Sequence, residues 1–357
     1  MNGTDKIKVA VIGTGGISNE HIKAYLKNPE VELYALCDIN EERVSKMGEK
    51  YGVARLYTDK DHMLRELPEI EAVSVCTWNS AHAPCTIAAL NAGCHVICEK
   101  PMAVNAGEAR DMKAAADRNG KLLMIGFVRR YGNDCRIVSD YIKNGYLGDI
   151  YYGKATYLRR NGCPGGWFGD KSRSAGGPLI DLGVHVIDLT RYLCGNPRPV
   201  SVYGATFDRL KNRPGIKCGG AMYVSAEKSD HDLFDVEDLA TAMIRYDNGM
   251  LISVEASFSL NIKEDVGRIE LFGTKAGVKL DPELEIYTEY NGYMSNIQLA
   301  SSTALSFDGL FVHEINHFVD CIRNGIPCKS PAEDGITLME ILDAIYLSAE
   351  TGHEVIL

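Results

Sequence analysis

The chain has 357 residues, of which 45% are hydrophobic and 24% charged, with a formal net charge of −10. That length exceeds what one hydrophobic core usually covers, so two domains are expected. The acidic balance, with no Lys/Arg run longer than two residues, argues against a nucleic-acid partner.

The opening "MNGTDKIKVAVIG" lacks the apolar stretch of a signal peptide. No later segment approaches the roughly 18–20 apolar residues of a membrane span. No membrane partner is expected, and a cytoplasmic location is. The 11 cysteines form no CxxC pair or zinc-finger spacing, which suits buried free thiols better than a disulfide framework.

From residue 7 to about 127, short apolar runs alternate with helical stretches. The runs are "KVAVIG", "LYALCD", "AVSVCT", "HVICEK" and "LLMIGF". Glu41 to Tyr51, Ala81 to Ala92 and Ala106 to Arg118 carry apolar residues at three- and four-residue spacing. Continuous apolar strands between helices indicate a parallel sheet covered on both faces, an α/β domain of the doubly wound Rossmann kind. Ligands of such a domain bind at the carboxyl ends of its strands.

Beyond Phe127 the runs lengthen and become rich in Tyr, Val, Ile and Thr, over 151–160, 200–207, 238–247, 250–260 and 267–273. Asn248-Gly249 between two of them is a strong hairpin signal. The second half is therefore expected to be an α/β domain with an open, largely antiparallel sheet. Helices are expected over Pro178 to Leu193, near 309–324 and near 333–350. The expected division is residues 1–127 for dinucleotide binding and 128–357 for substrate binding and oligomer contacts, with the C-terminal helix able to pack back on the first domain.

"VAVIGTGGIS" places Gly13-x-Gly15-x-x-Ser18 between a strand and a helix. Gly13 permits a tight turn, Gly15 lets a pyrophosphate approach the backbone, and the helix offers its N-terminal N–H groups. The pattern alone is weak, since an ordinary strand-to-helix turn shows it too. Its context is better: Asp38 stands at the tip of the second strand, where a carboxylate can accept both ribose hydroxyls of NAD. It would also repel the 2′-phosphate of NADP, since like charges near 4 Å cost about 4 kcal/mol at an effective dielectric of 20. NAD is expected over NADP.

In "SAGGPLIDLGVHVIDLTRYL", Asp181, His185 and Asp188 stand at i, i+4 and i+7 on one helical face. A carboxylate that orients an imidazole makes a general base. A surface i,i+4 pair is the plainer reading. No other cluster at ligand spacing supports a metal site, so none is expected. Lys100 follows the fifth strand, at the carboxyl edge where a nicotinamide should lie; a solvent-exposed lysine in a turn is its plainer reading. Together they suit alcohol oxidation: NAD accepts the hydride, His185 takes the hydroxyl proton and Lys100 faces the developing alkoxide.

The chain resembles the Gfo/Idh/MocA oxidoreductase family over nearly its whole length. The resemblance rests on the glycine turn, Asp38, "TWNSAH", "AGCHVICEKPMAV", "IGFVRRY", the Asp181-x-x-x-His185 helix and "AEDGITLMEILDAIYLSAETGHEV". It implies a Rossmann domain, then an α/β domain whose sheet forms dimer or tetramer contacts. It implies that Lys100, Asp181 and His185 are the catalytic set. It also implies that Gly13, Gly15, Gly16, Ile17, Asp38, Thr77, Asn79, His82 and Glu99 contact the cofactor. Trp78 stands where the family usually has proline. Arg129, in a stretch that resembles inositol dehydrogenases, and Trp167, in the loop before the catalytic helix, are candidate substrate contacts; each has a structural alternative.

The leading expectation is an NAD-dependent dehydrogenase acting on a secondary hydroxyl of a cyclic polyol or sugar. A redox-neutral enzyme that epimerises, eliminates or cleaves glycosides through a transient keto intermediate would use the same residues. A non-catalytic dinucleotide sensor is the remaining class, and the presence of both Lys100 and His185 weighs against it.

Overall fold

The computed structural model describes residues 6–211, 213, 216, 224, 225, 228, 229, 231–299 and 309–357. They divide into two compact units, Met1–Val128 with Phe307–Ile336 and Arg129–Ser306 with Thr337–Leu357. This differs from a single cut after residue 127, because a stretch late in the chain returns to the first unit.

The first unit begins β1 (Ile7–Ile12), α1 (Ser18–Lys27), β2 (Val31–Cys37), α2 (Glu41–Tyr51), β3 (Leu56–Tyr57) and α3 (Lys60–Glu66). It continues through β4 (Ala72–Val75), α4 (His82–Asn91), β5 (His95–Glu99), α5 (Ala106–Asn119) and β6 (Leu123–Gly126). The strands form one parallel sheet in the order β3-β2-β1-β4-β5-β6. Chain direction across the sheet reverses beside β1, which pairs with β2 on one side and β4 on the other. That is the switch point where such sheets hold ligands.

Local signals explain the helices. Asn40 and Asn105 cap α2 and α5 by accepting from the N–H groups of Arg43 and Glu108, and Gly52 and Gly120 end them in the left-handed conformation. Each side-chain cap contributes about 1 kcal/mol. Helix α1 buries Ser18, His21, Ile22, Ala24 and Tyr25, the stripe that helical spacing dictates.

The second unit contains α6 (Asn133–Lys143), β7 (Ile150–Leu158), α7 (Lys171–Ser174), α8 (Val184–Leu193) and β8 (Pro199–Phe207). After these come β9 (Leu239–Tyr246), β10 (Leu251–Ser257), β11 (Val266–Gly273), β12 (Ala276–Leu280), β13 (Glu285–Tyr290) and β14 (Tyr293–Ile297). Helix α9 (Leu310–Asn324) belongs with the first unit; α10 (Ala332–Thr351) and β15 (Val355–Ile356) follow it in the chain.

The nine-stranded sheet runs β14-β13-β12-β11-β7-β10-β9-β8-β15. Its pairs are antiparallel except β7 with β10, so the sheet is mixed as well as open. Asn248-Gly249 forms the β9–β10 hairpin turn, with Gly249 at φ +85°. Burial alternates along β9 and β10, with Ala242, Ile244, Ile252 and Val254 on the covered face.

Helix α9 packs against α1. It buries Leu310, Ile315, Phe318 and Val319, and Asn28 Nδ2 donates to Asn316 Oδ1 at 2.9 Å. Ile22 and Phe318 are both fully buried, and each such side chain contributes about 1.5–3 kcal/mol. The chain after α9 covers the β6 edge: Ile125 N–H donates to the Ser330 carbonyl at 2.9 Å, and Met124 bridges Pro331.

The expected helix over Pro178 to Leu193 is not uniform. Leu179–Gly183 is a π turn, in which Val184 N–H reaches back to the Leu179 carbonyl, and only then does α8 begin. Asp181 lies in the wide turn and His185 in the first turn of α8. The segment that enters this turn is held by a carboxylate. Glu237 accepts from the N–H groups of Gly177 at 2.9 Å and Leu179 at 3.2 Å, and Tyr346 Oη donates to the same carboxylate at 2.9 Å. A Cβ on Gly177 would stand 2.2 Å from the Glu237 carbonyl oxygen, so only glycine allows this approach.

Candidate active site

The glycine turn is shaped by its neighbour strand. Gly13 has φ +88°, and a Cβ there would stand 2.6 Å from the Cys76 carbonyl oxygen. Gly13 N–H donates to the Cys37 carbonyl at 2.8 Å, tying the turn to the end of β2. At Gly15 a Cβ would meet nothing within 4 Å, so backbone and open space face each other there. Gly16 is exposed and Ile17 half-buried. The Ser18 hydroxyl donates back to the Gly15 carbonyl at 2.7 Å, so it braces the turn and does not cap α1.

Asp38 sits one residue past β2 and is buried. Its Oδ2 accepts from Thr14 N–H at 2.7 Å and Thr14 Oγ1 at 2.9 Å, and its Oδ1 accepts from Asn40 N–H at 2.9 Å. Arg43 Nη1 lies 3.6 Å from Oδ2. The carboxylate therefore locks the glycine turn onto the end of the second strand. Ile39, beside it, is 73% exposed, an apolar surface where nothing in the fold covers it among the described residues.

After β4, Thr77 is half-buried, Asn79 is buried in a short 3₁₀ turn, and His82 opens α4. His82 Nδ1 lies 2.7 Å from the Pro101 carbonyl and Nε2 lies 3.2 Å from the Thr77 carbonyl. Burial pushes the His82 imidazole below its ordinary range despite these two acceptors. The neutral ring donates from Nδ1 to the closer carbonyl and thereby pins the backbone just after Lys100. Lys100 is half-buried at the carboxyl end of β5.

Glu99 is tied inward. Its Oε1 is 2.9 Å from His21 Nε2, and its Oε2 accepts from Lys100 N–H at 3.2 Å. Gly126 leaves room for it, since a Cβ there would stand 3.2 Å from the carboxylate.

In the second unit, Asp181 and His185 are half-buried on successive turns. Asp188, one turn beyond His185, is engaged by an arginine. Its Oδ2 accepts from Arg130 Nε at 3.0 Å and its Oδ1 from Arg130 Nη2 at 2.5 Å, in a buried bidentate pair. Arg129 is likewise engaged, with Nη2 2.9 Å from Asp281 and 3.3 Å from Asp134. Trp167 stacks on Phe168 with ring centroids 4.0 Å apart. Asp232, which accepts from Gly166 N–H, and Asp235, which accepts from Lys171 N–H at 2.7 Å, tie its loop down.

Three side chains escaped sequence reading: His21, Glu237 and Glu314. His21 and Glu314 stand among mostly apolar buried positions of their helices, whereas Glu237 lies between Val236 and Asp238 in an acidic stretch and gives no local signal. The fold also gathers His317, Cys321 and Cys328 within 4.8 Å, a grouping that linear spacing had not suggested. Lys329 N–H already donates to His317 Nε2 at 2.9 Å, and Cys321 Sγ lies 3.4 Å from the same nitrogen.

A doubly wound sheet, a glycine turn at its switch point and an acidic residue ending the second strand define a dinucleotide-binding oxidoreductase domain. Residues 7–127 match the family described as "Oxidoreductase family, NAD-binding Rossmann fold", and residues 140–357 match "Oxidoreductase family, C-terminal alpha/beta domain". The chain belongs to this Gfo/Idh/MocA oxidoreductase family, and its cofactor is NAD. The turn at Gly13, the open space at Gly15 and the buried Asp38 fit that cofactor.

The chain is 34% identical over 352 residues to D-glucoside 3-dehydrogenase of Escherichia coli (strain K12), covering 98% of this chain and 97% of that protein. It is 27% identical to myo-inositol 2-dehydrogenase of Thermotoga maritima, covering 92% of each. Among solved structures, an oxidoreductase domain protein from Kribbella flavida superposes with a TM-score of 0.86 at 26% identity, over 99% of each chain. The enzyme is an oxidoreductase related to sugar and inositol dehydrogenases. No helix among the described residues is long and apolar enough to cross a membrane.

Proposed function

We propose that the protein is an NAD-dependent dehydrogenase that oxidises a secondary hydroxyl on the ring of a sugar, glycoside or cyclic polyol. The observation that carries this reading is Lys100, half-buried at the carboxyl end of β5 and held by the His82–Pro101 contact, in a domain built for NAD. Bound NAD supplies the hydride acceptor. Lys100 places its ammonium beside the hydroxyl oxygen and stabilises the charge that develops as the C–H bond breaks. His185 takes the hydroxyl proton as general base and returns it in the reverse direction. Asp181, in the turn that Glu237 anchors, positions the substrate and the base.

Asp38 accepts the adenosine ribose hydroxyls, Ile39 offers the adenine an apolar face, and the α1 N-terminus faces the pyrophosphate. Gly13, Gly15, Gly16 and Ile17 form the phosphate turn, while Thr77, Asn79, His82 and Glu99 frame the nicotinamide end. Trp167 contributes a flat surface for a sugar ring. Arg129, already paired with Asp134 and Asp281, supports the fold in preference to binding substrate. The oligomer is a dimer or tetramer built on the open sheet, where Tyr151, Tyr203 and Met243 leave apolar surface exposed.

The test is absorbance at 340 nm with NAD against glycosides, aldoses, sugar acids and inositols, the relative named D-glucoside 3-dehydrogenase making glycosides the first choice. Lys100→Met and His185→Ala should each lower kcat by at least about 100-fold while leaving the Kd for NAD within about threefold. An unchanged kcat in either variant refutes its assigned role. Product at the substrate's oxidation level, with a trapped reduced cofactor, would replace net oxidation with the redox-neutral reaction.

A further inference from the structure

Within the first unit, α1, the end of β5 and α9 bring three ionisable side chains together away from solvent. His21 and Glu314 are 0% exposed and Glu99 is 6% exposed. One nitrogen or oxygen of each lies within 4.8 Å of the other two. In the proposed NAD site Glu99 is only a wall, and His21 and Glu314 have no part.

Part of the cluster is a closed hydrogen-bond chain. Tyr25 Oη lies 2.7 Å from Ser74 Oγ, Ser74 Oγ lies 3.1 Å from His21 Nδ1, and His21 Nε2 lies 2.9 Å from Glu99 Oε1. With a neutral imidazole every proton has an acceptor: Tyr25 donates to Ser74, Ser74 to Nδ1, and Nε2–H to Glu99. Glu99 ends the chain as a carboxylate.

Glu314 stands outside it. Neither of its carboxyl oxygens has a hydrogen-bond partner among the described residues. His21 and Tyr25 of α1, Cys76 just beyond β4, and Glu99 of β5 face it, and none is a permanent cation. On its own helix, His317 is turned to Lys329 and Cys321. A buried carboxylate without donors or a countercharge keeps its proton. Burial first, and the Glu99 charge second, push Glu314 well above the usual carboxylate range. Burial alone would raise Glu99 too, but the hydrogen bond from His21, with the Lys100 ammonium and the His82 ring also facing it, outweighs burial and holds Glu99 below its usual value.

The cluster thus has one negative charge and one spare protonated carboxyl, at the strand end where the NAD reading puts the nicotinamide. That ring is cationic when oxidised and uncharged when reduced. We propose that Glu314 is a proton reservoir that answers the charge of the nicotinamide ring, its cluster holding more protons when the reduced cofactor is bound than when the oxidised cofactor is bound. The proton exchanges with solvent, and no bond to the cofactor forms or breaks. By linkage, the preference between the two cofactor forms then depends on pH, and the cluster helps discharge one form and retain the other.

The experiment is isothermal calorimetry of NAD and of NADH binding to the substrate-free protein, in buffers of different ionisation enthalpy, at several pH values. Wild type is expected to take up more protons with NADH than with NAD. The ratio of the two Kd values should change with pH by up to about tenfold per unit. Glu314→Gln should bind both forms and lose both the proton difference and the slope. An undiminished proton difference in Glu314→Gln, or no difference in wild type, overturns the proposal. Should that variant fail to fold, the infrared band of a protonated carboxyl in wild type decides instead: it must be stronger in the NADH complex than in the NAD complex. Binding of neither dinucleotide would overturn the NAD reading and this proposal with it, whereas binding of both without differential proton uptake overturns this proposal alone.

Discussion

Arg130 and Asp188 tie the 3₁₀ turn before α6 to helix α8, three residues beyond His185, and Asp188→Ala tests what that tie contributes. The Arg130 side chain is 0% exposed and Asp188 4% exposed. The guanidinium also lies over the Tyr192 ring at 4.5 Å. Removing Asp188 leaves a guanidinium that cannot discharge, in a site closed to water. Breaking one partner of a buried pair costs about 3–5 kcal/mol. For a unit of this size, each kcal/mol shifts Tm by roughly 2–4 °C, so a fall of about 6–20 °C is expected. Circular dichroism on heating would read it.

Two companions sharpen the test. Arg130→Met with Asp188→Leu should recover most of the loss, because no charge is then stranded. Asp188→Asn should fall between wild type and Asp188→Ala. A Tm for Asp188→Ala within about 2 °C of wild type would refute the reasoning, since it would mean that water or another group compensates the arginine.

Other outcomes follow from the first unit. Gly13→Ala forces a Cβ against the Cys76 carbonyl at φ +88°, and should cost about 1–3 kcal/mol of stability and at least tenfold in NAD affinity by titration. Asp38→Asn keeps an acceptor but removes the charge, so the Kd ratio of NADP to NAD should fall by about 10- to 100-fold, less than a bare 4 Å repulsion because Arg43 already offsets part of it. Burial pulls the His95 imidazole down to about 4, with Nδ1 accepting from Leu122 N–H at 3.0 Å. The unfolded chain therefore binds more protons than the folded one between about pH 4 and 6.5, and stability is lost as pH falls through that window. Because His95 is only half-buried, the loss is on the order of 1 kcal/mol, and His95→Gln should flatten that part of the acid limb in denaturant titrations. An unaltered acid limb would show that His95 does not titrate there.

The first unit's architecture was legible because each of its long strands is a continuous apolar run, and Glu41–Tyr51 and Ala106–Asn119 carry both periodicity and caps. Strand β3 escaped because Leu56–Tyr57 is only two residues, too short to show a period. Strands β12 to β14 escaped because Lys279, Glu285, Glu289 and Asn296 break the apolar pattern on a half-exposed sheet. The π turn at Leu179–Gly183 could not be read locally, and Glu237, which accepts from Gly177 and Leu179 at its start, lies more than fifty residues downstream. Gly13, Asp38 and Lys100 could be placed in advance at the turn and strand ends because turn geometry and strand ends constrain such positions. His21 and Glu314 were not, since a polar residue in an apolar stripe acquires meaning only when its partner across the fold is known.

The return of α9 and the Ser330–Pro331 segment to the first unit has a consequence for biosynthesis. The NAD-binding unit is discontinuous in sequence, so its sheet leaves the ribosome with the β6 edge unpaired and the α1 surface uncovered while the rest of the chain is still being made. An exposed parallel edge and an apolar helix face are the features that recruit wrong partners. A fragment ending near Val128 should therefore aggregate where the full chain stays dispersed. Chaperone demand should rise in proportion to any delay in translating the middle of the message.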